Sequence, residues 1–235
     1  MPFVYRLGFT VVVCAGLLAG TAAGSEPAQY SLDPVHTRVI FAIDHAGFSK
    51  AVGTVSGSIG QLRFDPEDWT RATLQASVPL ARIDLGDAGW NKATLAKNLL
   101  NVEDYPTAAF VSTRVEPLAP NRASVYGMLT LHGVSREVVL DVTLNAAKRH
   151  PLPPFRRTVG FSATAMLSRK EFGIDAWASV IGDAVELRIE AEATRSRVEG
   201  DPDAPDSPQE TSSTANAAKD PDTQAPAVTT KEPKP

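Results

Sequence analysis

The chain lacks most of the residues and motifs that mark catalytic or metal-binding proteins. Its one cysteine among 235 residues, Cys14, lies near the amino terminus. If that segment is removed on export, the mature protein has no disulfide, no cysteine nucleophile and no cysteine metal ligand. The sequence also contains no G-x-S-x-G turn, no H-E-x-x-H pair and no phosphate-binding loop. We therefore expect no catalytic residues, no metal and no cofactor.

An excess of positive charge is absent too. The formal net charge is −4, and residues 197–235 alone carry eight acidic and four basic residues. The body of the chain is therefore nearly neutral, which excludes the basic stripe of a nucleic-acid-binding protein. Residues 197–235 contain no Leu, Ile, Phe, Trp or Tyr. Such a segment cannot form a core, so we predict a disordered tail.

No apolar run here is typical of a membrane-spanning helix. The run Leu7–Gly20 has 14 residues, fewer than the ~18 that suggest a span. Arg6 precedes it and small residues follow at positions 21–24, as in a secretory signal peptide. We predict a cleavable signal over residues 1–24 and a periplasmic mature protein. An uncleaved anchor, or a lipid on Cys14, is the less favoured alternative.

The body, residues 25–196, has the length of one domain and consists mainly of alternating apolar and polar residues. In the clearest case, Val185, Leu187 and Ile189 fall on one face, while Glu186 and Arg188 fall on the other. The predicted strands are 37–45, 51–56, 58–64, 71–83, 107–115, 124–131, 138–144, 158–167 and 183–194. Short connections favour antiparallel neighbours. The pattern predicts an all-β sandwich or a closed barrel of about eight strands, which can hold a small ligand.

One segment departs from the strand pattern. Within residues 88–100, Trp90, Leu95 and Leu99 recur near helical spacing, and Lys92 and Lys97 are available for the solvent side. We predict one amphipathic helix across the mouth or wall of the barrel.

Several short motifs occur in order along the body. They are Tyr30-Ser31-Leu32-Asp33-Pro34-Val35-His36-Thr37, Tyr105-Pro106, Gly127-x-Leu129-Thr130-Leu131-His132-Gly133-Val134 and Arg169-x-Glu171-Phe172-Gly173-Ile174. This ordered set, between Tyr30 and Ala193, resembles the YceI-like family of exported lipid-binding proteins. The resemblance implies a lipocalin-like antiparallel barrel whose elongated apolar cavity binds polyisoprenoid chains or similar amphiphiles.

The chain departs from that family in two places. Family members often carry an Arg-Asp-x-His-Leu-like stretch where this chain has Trp90-Asn91-Lys92-Ala93-Thr94-Leu95. Lys170 stands where a small hydroxyl residue is usual. Both departures bear on contacts with a ligand head group and leave the apolar lining largely unaffected.

The candidate ligand-binding residues are mostly inward apolar side chains. They are Phe41, Ile43, His45, Leu74, Val78, Leu95, Leu99, Phe110, Leu129, Leu140, Val142, Phe161, Arg169, Phe172, Val185 and Leu187. His45 and Arg169 are the candidates for a polar head group. The candidates for a gate at the mouth are Trp90, Leu95, Leu99, Phe172 and Trp177. The alternatives are a solid core for the apolar set, a salt bridge with Glu171 for Arg169, and plain packing for the gate.

A binding function is the favoured prediction. Each buried methylene contributes ~0.8 kcal/mol, whereas association costs ~4 to ~15 kcal/mol, so a chain of ~20 carbons binds well and a short one does not. We predict periplasmic binding, transport or sequestration of a polyisoprenoid, quinone or fatty-acid-like amphiphile. Contact with inner-membrane proteins and a homodimer are left open. The alternatives are an envelope stress-response or interaction protein with a filled barrel, and an enzyme that uses His36, His45 or Arg169 on a lipid-like substrate.

Overall fold

The computed structural model describes residues 26–196. The predicted signal peptide and the predicted tail lie outside the described residues and stay predictions. The strands are β1 (Ala28–Leu32), β2 (Arg38–His45), β3 (Ser49–Ser56), β4 (Ile59–Phe64), β5 (Thr73–Pro79), β6 (Ile83–Asp84), β7 (Thr107–Ala119), β8 (Arg122–Leu131), β9 (Val134–Arg149), β10 (Arg157–Ser168) and β11 (Ile181–Arg195). The helix is α1 (Ala88–Leu95), and 3-10 turns lie at Trp69–Arg71, Leu80–Arg82 and Arg169–Phe172.

The strands close into an antiparallel barrel. Eight of them form a ring in the order β1-β4-β5-β7-β8-β9-β10-β11, and β1 pairs with β11 to complete it. Strands β2, β3 and β6 extend the sheet beyond β11. The predicted all-β barrel of about eight strands is confirmed.

Two strands of the ring, β1 and β4, are each joined to a neighbouring strand along the chain by a short bend. β1 pairs with the last residues of β11, whereas β2 pairs with residues 181–190 of the same strand. Between them lies a turn, in which the Asp33 Oδ1 atom accepts hydrogen bonds from the Val35 and His36 amides at 2.8 and 3.1 Å. β3 and β4 are likewise separated only by Gly57 and Ser58. Such bends allow a sheet to curl around a small interior.

Two strand glycines allow aromatic rings to lie close to the backbone of a neighbouring strand. A Cβ atom at Gly53 would lie 2.4 Å from the Phe41 ring, and one at Gly127 would lie 2.4 Å from the Phe110 ring. Any larger residue would force these rings to move. Glycine at these positions therefore lets Phe41 and Phe110 lie across the neighbouring strand.

Apart from strand ends, such as those of β7 and β9, which extend beyond the predicted 107–115 and 138–144, the sequence prediction differs from the structure in three elements. β1 was not predicted as a strand, because its five residues show only a short alternation before the turn at Asp33. The predicted strand 71–83 is broken by the turn Leu80–Arg82 into β5 and β6. The predicted helix 88–100 ends at Leu95, and residues 96–100 form turns instead.

The barrel has two unlike ends. One end, here called the mouth, carries the β2–β3 hairpin, α1, the β8–β9 hairpin and the segment 169–180. The other, here called the base, carries the turn Trp69–Arg71 and the β9–β10 loop. Near the mouth, pairing between β9 and β10 stops at Asp141 and Thr164. A cluster around the buried Phe172 packs against β8, β9 and β10 in that half. No helix among residues 26–196 is long and apolar enough to cross a membrane.

Candidate functional site: an apolar cavity inside the barrel

The barrel encloses a cavity of about 500 Å³. Its lining is almost wholly hydrocarbon, with side chains from all eleven described strands, from α1 and from Leu99 and Leu100. The volume falls within the ~300–1,000 Å³ that is usual for small-ligand sites. The barrel is therefore hollow, and the filled core that the sequence left open as an alternative does not describe it.

Fifteen of the sixteen candidate residues line this cavity. They are Phe41, Ile43, His45, Leu74, Val78, Leu99, Phe110, Leu129, Leu140, Val142, Phe161, Arg169, Phe172, Val185 and Leu187. The strand positions follow from period-two alternation, since all inward residues of a strand share one wall. Whether these residues contact a ligand stays a prediction.

Leu95 is the exception, since it is not among the lining residues. On α1 the residues that face the cavity are Trp90, Ala93 and Thr94, which lie three and four positions apart. Leu95 is five positions from Trp90 and so lies well around the helix from that face. No residue of α1 is fully buried. The predicted apolar face was therefore misplaced by about one residue along the helix.

Sequence reasoning missed a set of small lining residues. Inward positions on five strands carry alanine, at Ala51, Ala76, Ala108, Ala163 and Ala191. A solid core would need larger side chains at such positions to reach native packing density. The signal was present in the alternation itself, because these alanines occupy the same faces as the predicted apolar residues. Small inward side chains are what leave the barrel hollow.

Aromatic rings close the base of the cavity. The Phe64 ring lies 5.1 Å from Trp69 and 5.3 Å from Phe161, both edge-to-face. The Trp69 indole N–H donates to the Pro66 carbonyl at 3.2 Å, which fixes the ring in place. Edge-to-face pairs are favoured by the ring quadrupoles. The base is thus a rigid apolar floor.

The mouth is more open. His45 ends β2 there, and its ring lies 5.3 Å from the Trp90 ring. Trp90 lines the cavity although 44% of its surface is exposed. Trp177 is 61% exposed and does not line the cavity, whereas Phe172 is 1% exposed and belongs to the packed cluster. Of the predicted gate residues, Trp90 and Leu99 line the cavity and keep some exposure to solvent, whereas Leu95 and Trp177 do not line it.

Arg169 has a structural role that neither sequence hypothesis described. It is 5% exposed, and its guanidinium donates to the backbone carbonyls of Ile174, Ala176, Ile181 and Gly182 at 2.6 to 2.9 Å. These bonds fasten the segment between the 3-10 turn and β11. These bonds use four of the five N–H donors of the guanidinium, so Arg169 is committed to the backbone rather than to Glu171 or to an anionic head group.

Few polar groups line the cavity. The Ser112 hydroxyl accepts a hydrogen bond from the Leu74 amide at 2.8 Å, and the Thr37 hydroxyl donates to the Glu192 carbonyl at 3.4 Å. Ser58 is 2% exposed, and its hydroxyl has no hydrogen-bond partner among the described residues. The lining therefore offers hydrocarbon contact rather than recognition of charge.

The histidines that an enzyme would use are not brought together. His36 lies on the exposed turn before β2 and His45 at the far end of that strand, about 30 Å along the chain at ~3.3 Å per residue. The Asp33 carboxylate lies 2.9 Å from the His36 ring and raises the pKa of that imidazole. Partial burial alone would raise the pKa of Asp33, but hydrogen bonds from His36 and from two backbone amides lower it. Within residues 26–196, no three His, Cys, Asp or Glu side chains could jointly hold a metal ion.

Comparisons with known sequences agree with the fold. Residues 30–193 match the family described as the YceI-like domain. A UPF0312 protein of Pseudomonas savastanoi pv. phaseolicola is 34% identical over 166 residues, which cover 68% of this chain and 85% of that protein. A UPF0312 protein of Serratia proteamaculans is 31% identical over 185 residues, covering 78% and 95% of the two chains.

Solved structures share the barrel. Burkholderia cenocepacia BcnA superposes with a TM-score of 0.63 at 24% identity, over 69% of this chain and 99% of that one. A polyisoprenoid binding domain from Saccharophagus degradans, implicated in plant cell wall breakdown, gives a TM-score of 0.54 at 16% identity. That match covers 71% of this chain and 98% of the other. At these identities the similarity establishes the fold.

Proposed function

Because this chain belongs to the YceI-like family, we propose that it binds one long apolar chain inside its barrel. The ligand class is a polyisoprenoid, a quinone or a fatty-acid-like amphiphile. The protein carries or sequesters this molecule in the periplasm, where the predicted signal peptide directs it.

The hydrocarbon-lined cavity of about 500 Å³ is the observation that carries the proposal. Each methylene moved from water into such a lining contributes ~0.8 kcal/mol. The lining offers few polar groups, and most of those described already have protein partners. Affinity must therefore come from chain length, which favours ligands of ~20 carbons or more over short ones.

The related structures support the same ligand class. The Saccharophagus degradans domain is described as polyisoprenoid binding, and it has the same fold as this barrel. Family and fold together favour a binding protein over an enzyme. The separation of His36 from His45 and the use of Arg169 by backbone carbonyls give no support to an enzyme built on those three residues.

Native mass spectrometry of protein purified from its own periplasm tests the proposal. We expect the folded protein to carry extra mass that corresponds to one lipid, released on denaturation and identified in an organic extract. Delipidated protein should then bind a long-chain isoprenol or a long fatty amide, followed by the fluorescence of Trp69 and Trp90, which line the cavity. If no lipid co-purifies and neither ligand binds, the proposal is wrong.

A further inference from the structure

Large apolar side chains project into solvent from three separate segments at the mouth. Phe48 at the tip of the β2–β3 hairpin is 92% exposed, Trp177 is 61% exposed, Trp90 on α1 is 44% exposed and Val180 is 37% exposed. We call these four residues the mouth rim. Because Trp90 also lines the cavity, it connects the mouth rim with the interior of the barrel.

The mouth rim is one surface, since its segments contact one another around His45. The Ala46 amide in the hairpin donates to the Val180 carbonyl at 2.6 Å. Ile181, next to Val180, pairs with His45 at the end of β2. The His45 ring in turn packs 5.3 Å from the Trp90 ring. The hairpin, the 173–180 segment and α1 therefore meet at the same edge of the opening.

The exposed side chains are held in place by the structure. Trp177 has a φ of +59°, a left-handed conformation that costs a residue with a Cβ of order 1 kcal/mol. The bonds of Arg169 to the Ile174, Ala176 and Ile181 carbonyls fix the backbone on both sides of it. Fully burying a phenylalanine side chain would gain ~1.5–3 kcal/mol, yet Phe48 stays in solvent. Fixed exposure of several apolar side chains beside the opening of the cavity, rather than exposure alone, indicates a surface that meets an apolar partner.

We infer that the mouth rim inserts into the surface of a lipid bilayer, so that the ligand moves between bilayer and cavity without crossing water. The inference rests on the proposed function. A chain of ~20 carbons would need on the order of 16 kcal/mol to enter water, so a bilayer is where such a ligand resides. Tips that project from separate segments suit insertion between lipid chains, and tryptophan favours the membrane interface.

Charge around the mouth rim points to apolar insertion rather than electrostatic attraction. The same segments carry side chains of both signs, such as Asp44, Lys92 and Lys170. A surface of mixed sign gains little from an anionic membrane. We therefore expect binding to neutral phosphatidylcholine vesicles, with less than about a threefold gain when a quarter of the lipid is phosphatidylglycerol.

Vesicle flotation with the exported protein tests the inference. The variants are Phe48→Ser and Trp177→Asn, because asparagine tolerates a positive φ. Each should lower the fraction bound to phosphatidylcholine vesicles about tenfold, as expected for loss of one inserted aromatic side chain. The matched control is Phe155→Asn at the base, a residue with a φ of +55° and 52% exposure. It should float as the unsubstituted protein does.

A second measurement separates this inference from the proposed function. Ligand uptake is followed once from vesicles that contain a fluorescent long-chain isoprenoid, and once from dilute detergent that contains the same probe. Phe48→Ser should slow uptake from vesicles and leave binding from detergent unchanged; its side chain is 92% exposed, so its removal leaves the core intact. Absence of flotation, or equal loss in Phe155→Asn, overturns the inference even where the probe binds. If flotation depends on the mouth rim but the probe does not bind, the inference is supported and the proposed ligand is not.

Discussion

At the scale of single residues, Ser58 is the least satisfied side chain in the cavity wall. Its hydroxyl is buried and has no hydrogen-bond partner among the described residues. Leaving a buried polar group unpaired costs ~1–3 kcal/mol. We expect Ser58→Ala to raise the free energy of unfolding by about 1 kcal/mol, measured by urea denaturation.

Ser112 provides the matched control for Ser58. Its hydroxyl also lies at the cavity wall but accepts a hydrogen bond from the Leu74 amide at 2.8 Å. Ser112→Ala should therefore lower the free energy of unfolding by about 1–2 kcal/mol. Destabilisation by both substitutions would contradict the assignment of Ser58 as unpaired.

Asp33 and His36 give the turn between β1 and β2 a pH dependence. The pKa of His36 is raised by Asp33, so its contribution is present below the unfolded pKa of ~6.5 and is lost as pH rises through the folded pKa. The pKa of Asp33 is lowered, so its contribution is present above ~3.9 and is lost as pH falls through the folded pKa. The pair stabilises the turn most between these two values.

Asp33→Asn separates charge from turn geometry. The amide oxygen can still accept from the Val35 and His36 amides, while the charge is removed. We expect a larger loss of melting temperature at pH 5.5 than at pH 8.5. The extra loss should correspond to less than about 1 kcal/mol, because the pair is on the surface and screened. An equal loss at both pH values would mean that the ion pair contributes nothing.

At the scale of elements, the motifs that resemble the family prove to be mainly supports of the mouth. The Tyr105 ring packs 4.9 Å from His132, and a Cβ at Gly133 would lie 2.6 Å from that tyrosine ring. The His132 ring lies 3.2 Å from the Phe172 carbonyl. Three motifs that are far apart in sequence thus contact one another, which explains why they occur together. Spacing alone could not reveal this, because these contacts depend on the closed barrel.

Arg169 shows the limit of sequence reasoning for the same region. A lone arginine near a strand end predicts either an ion pair or an anion site, since carboxylates and phosphates are its usual partners. Its actual partners are backbone carbonyls, which every residue carries and no pattern marks. The inward strand residues, in contrast, were predictable because alternation fixes the wall on which each lies.

Arg169→Lys should loosen the segment that precedes β11. Lysine cannot reach the carbonyls of Ile174 and Gly182 in the fork geometry of a guanidinium, so buried acceptors lose their partners. We expect a loss of about 3 kcal/mol in the free energy of unfolding. The amides of Val180 and Ile181, which donate to the Trp177 carbonyl, should exchange with deuterium faster. Lys170→Ala, an exposed neighbour, should change neither quantity.

At the scale of the whole molecule, closure and hollowness have different origins in the sequence. Nine alternating segments with short connections predicted a sandwich or a closed barrel, and the resemblance to the YceI-like family favoured the barrel. The ring from β1 to β11 confirms the barrel. Alternation cannot tell a filled barrel from an empty one, because both have apolar inner walls. The difference lies in side-chain volume, in the alanines at inward positions and the glycines that receive Phe41 and Phe110.

Filling the cavity tests whether its volume is what the protein uses. Ile189 lies on β11 opposite Val39 and Ala163, and all three line the cavity. Ile189→Trp places an indole in the space and should lower affinity for a long-chain isoprenol more than tenfold, as expected when more than about two methylenes lose their contacts. The unliganded protein should remain folded, because the new side chain occupies empty volume.

Thr164→Trp is the control for Ile189→Trp, since Thr164 follows Ala163 on β10 and is exposed on the outer face. It should bind the isoprenol with unchanged affinity. Ligand at a hundredfold excess over the Kd of the unsubstituted protein should stabilise that protein and Thr164→Trp by ~2.7 kcal/mol, and so raise their melting temperatures. The same ligand concentration should stabilise Ile189→Trp by less than ~1.4 kcal/mol, because its affinity is more than tenfold lower. Equal binding by both variants would place the ligand outside the barrel, and a hollow interior would then not be the basis of function.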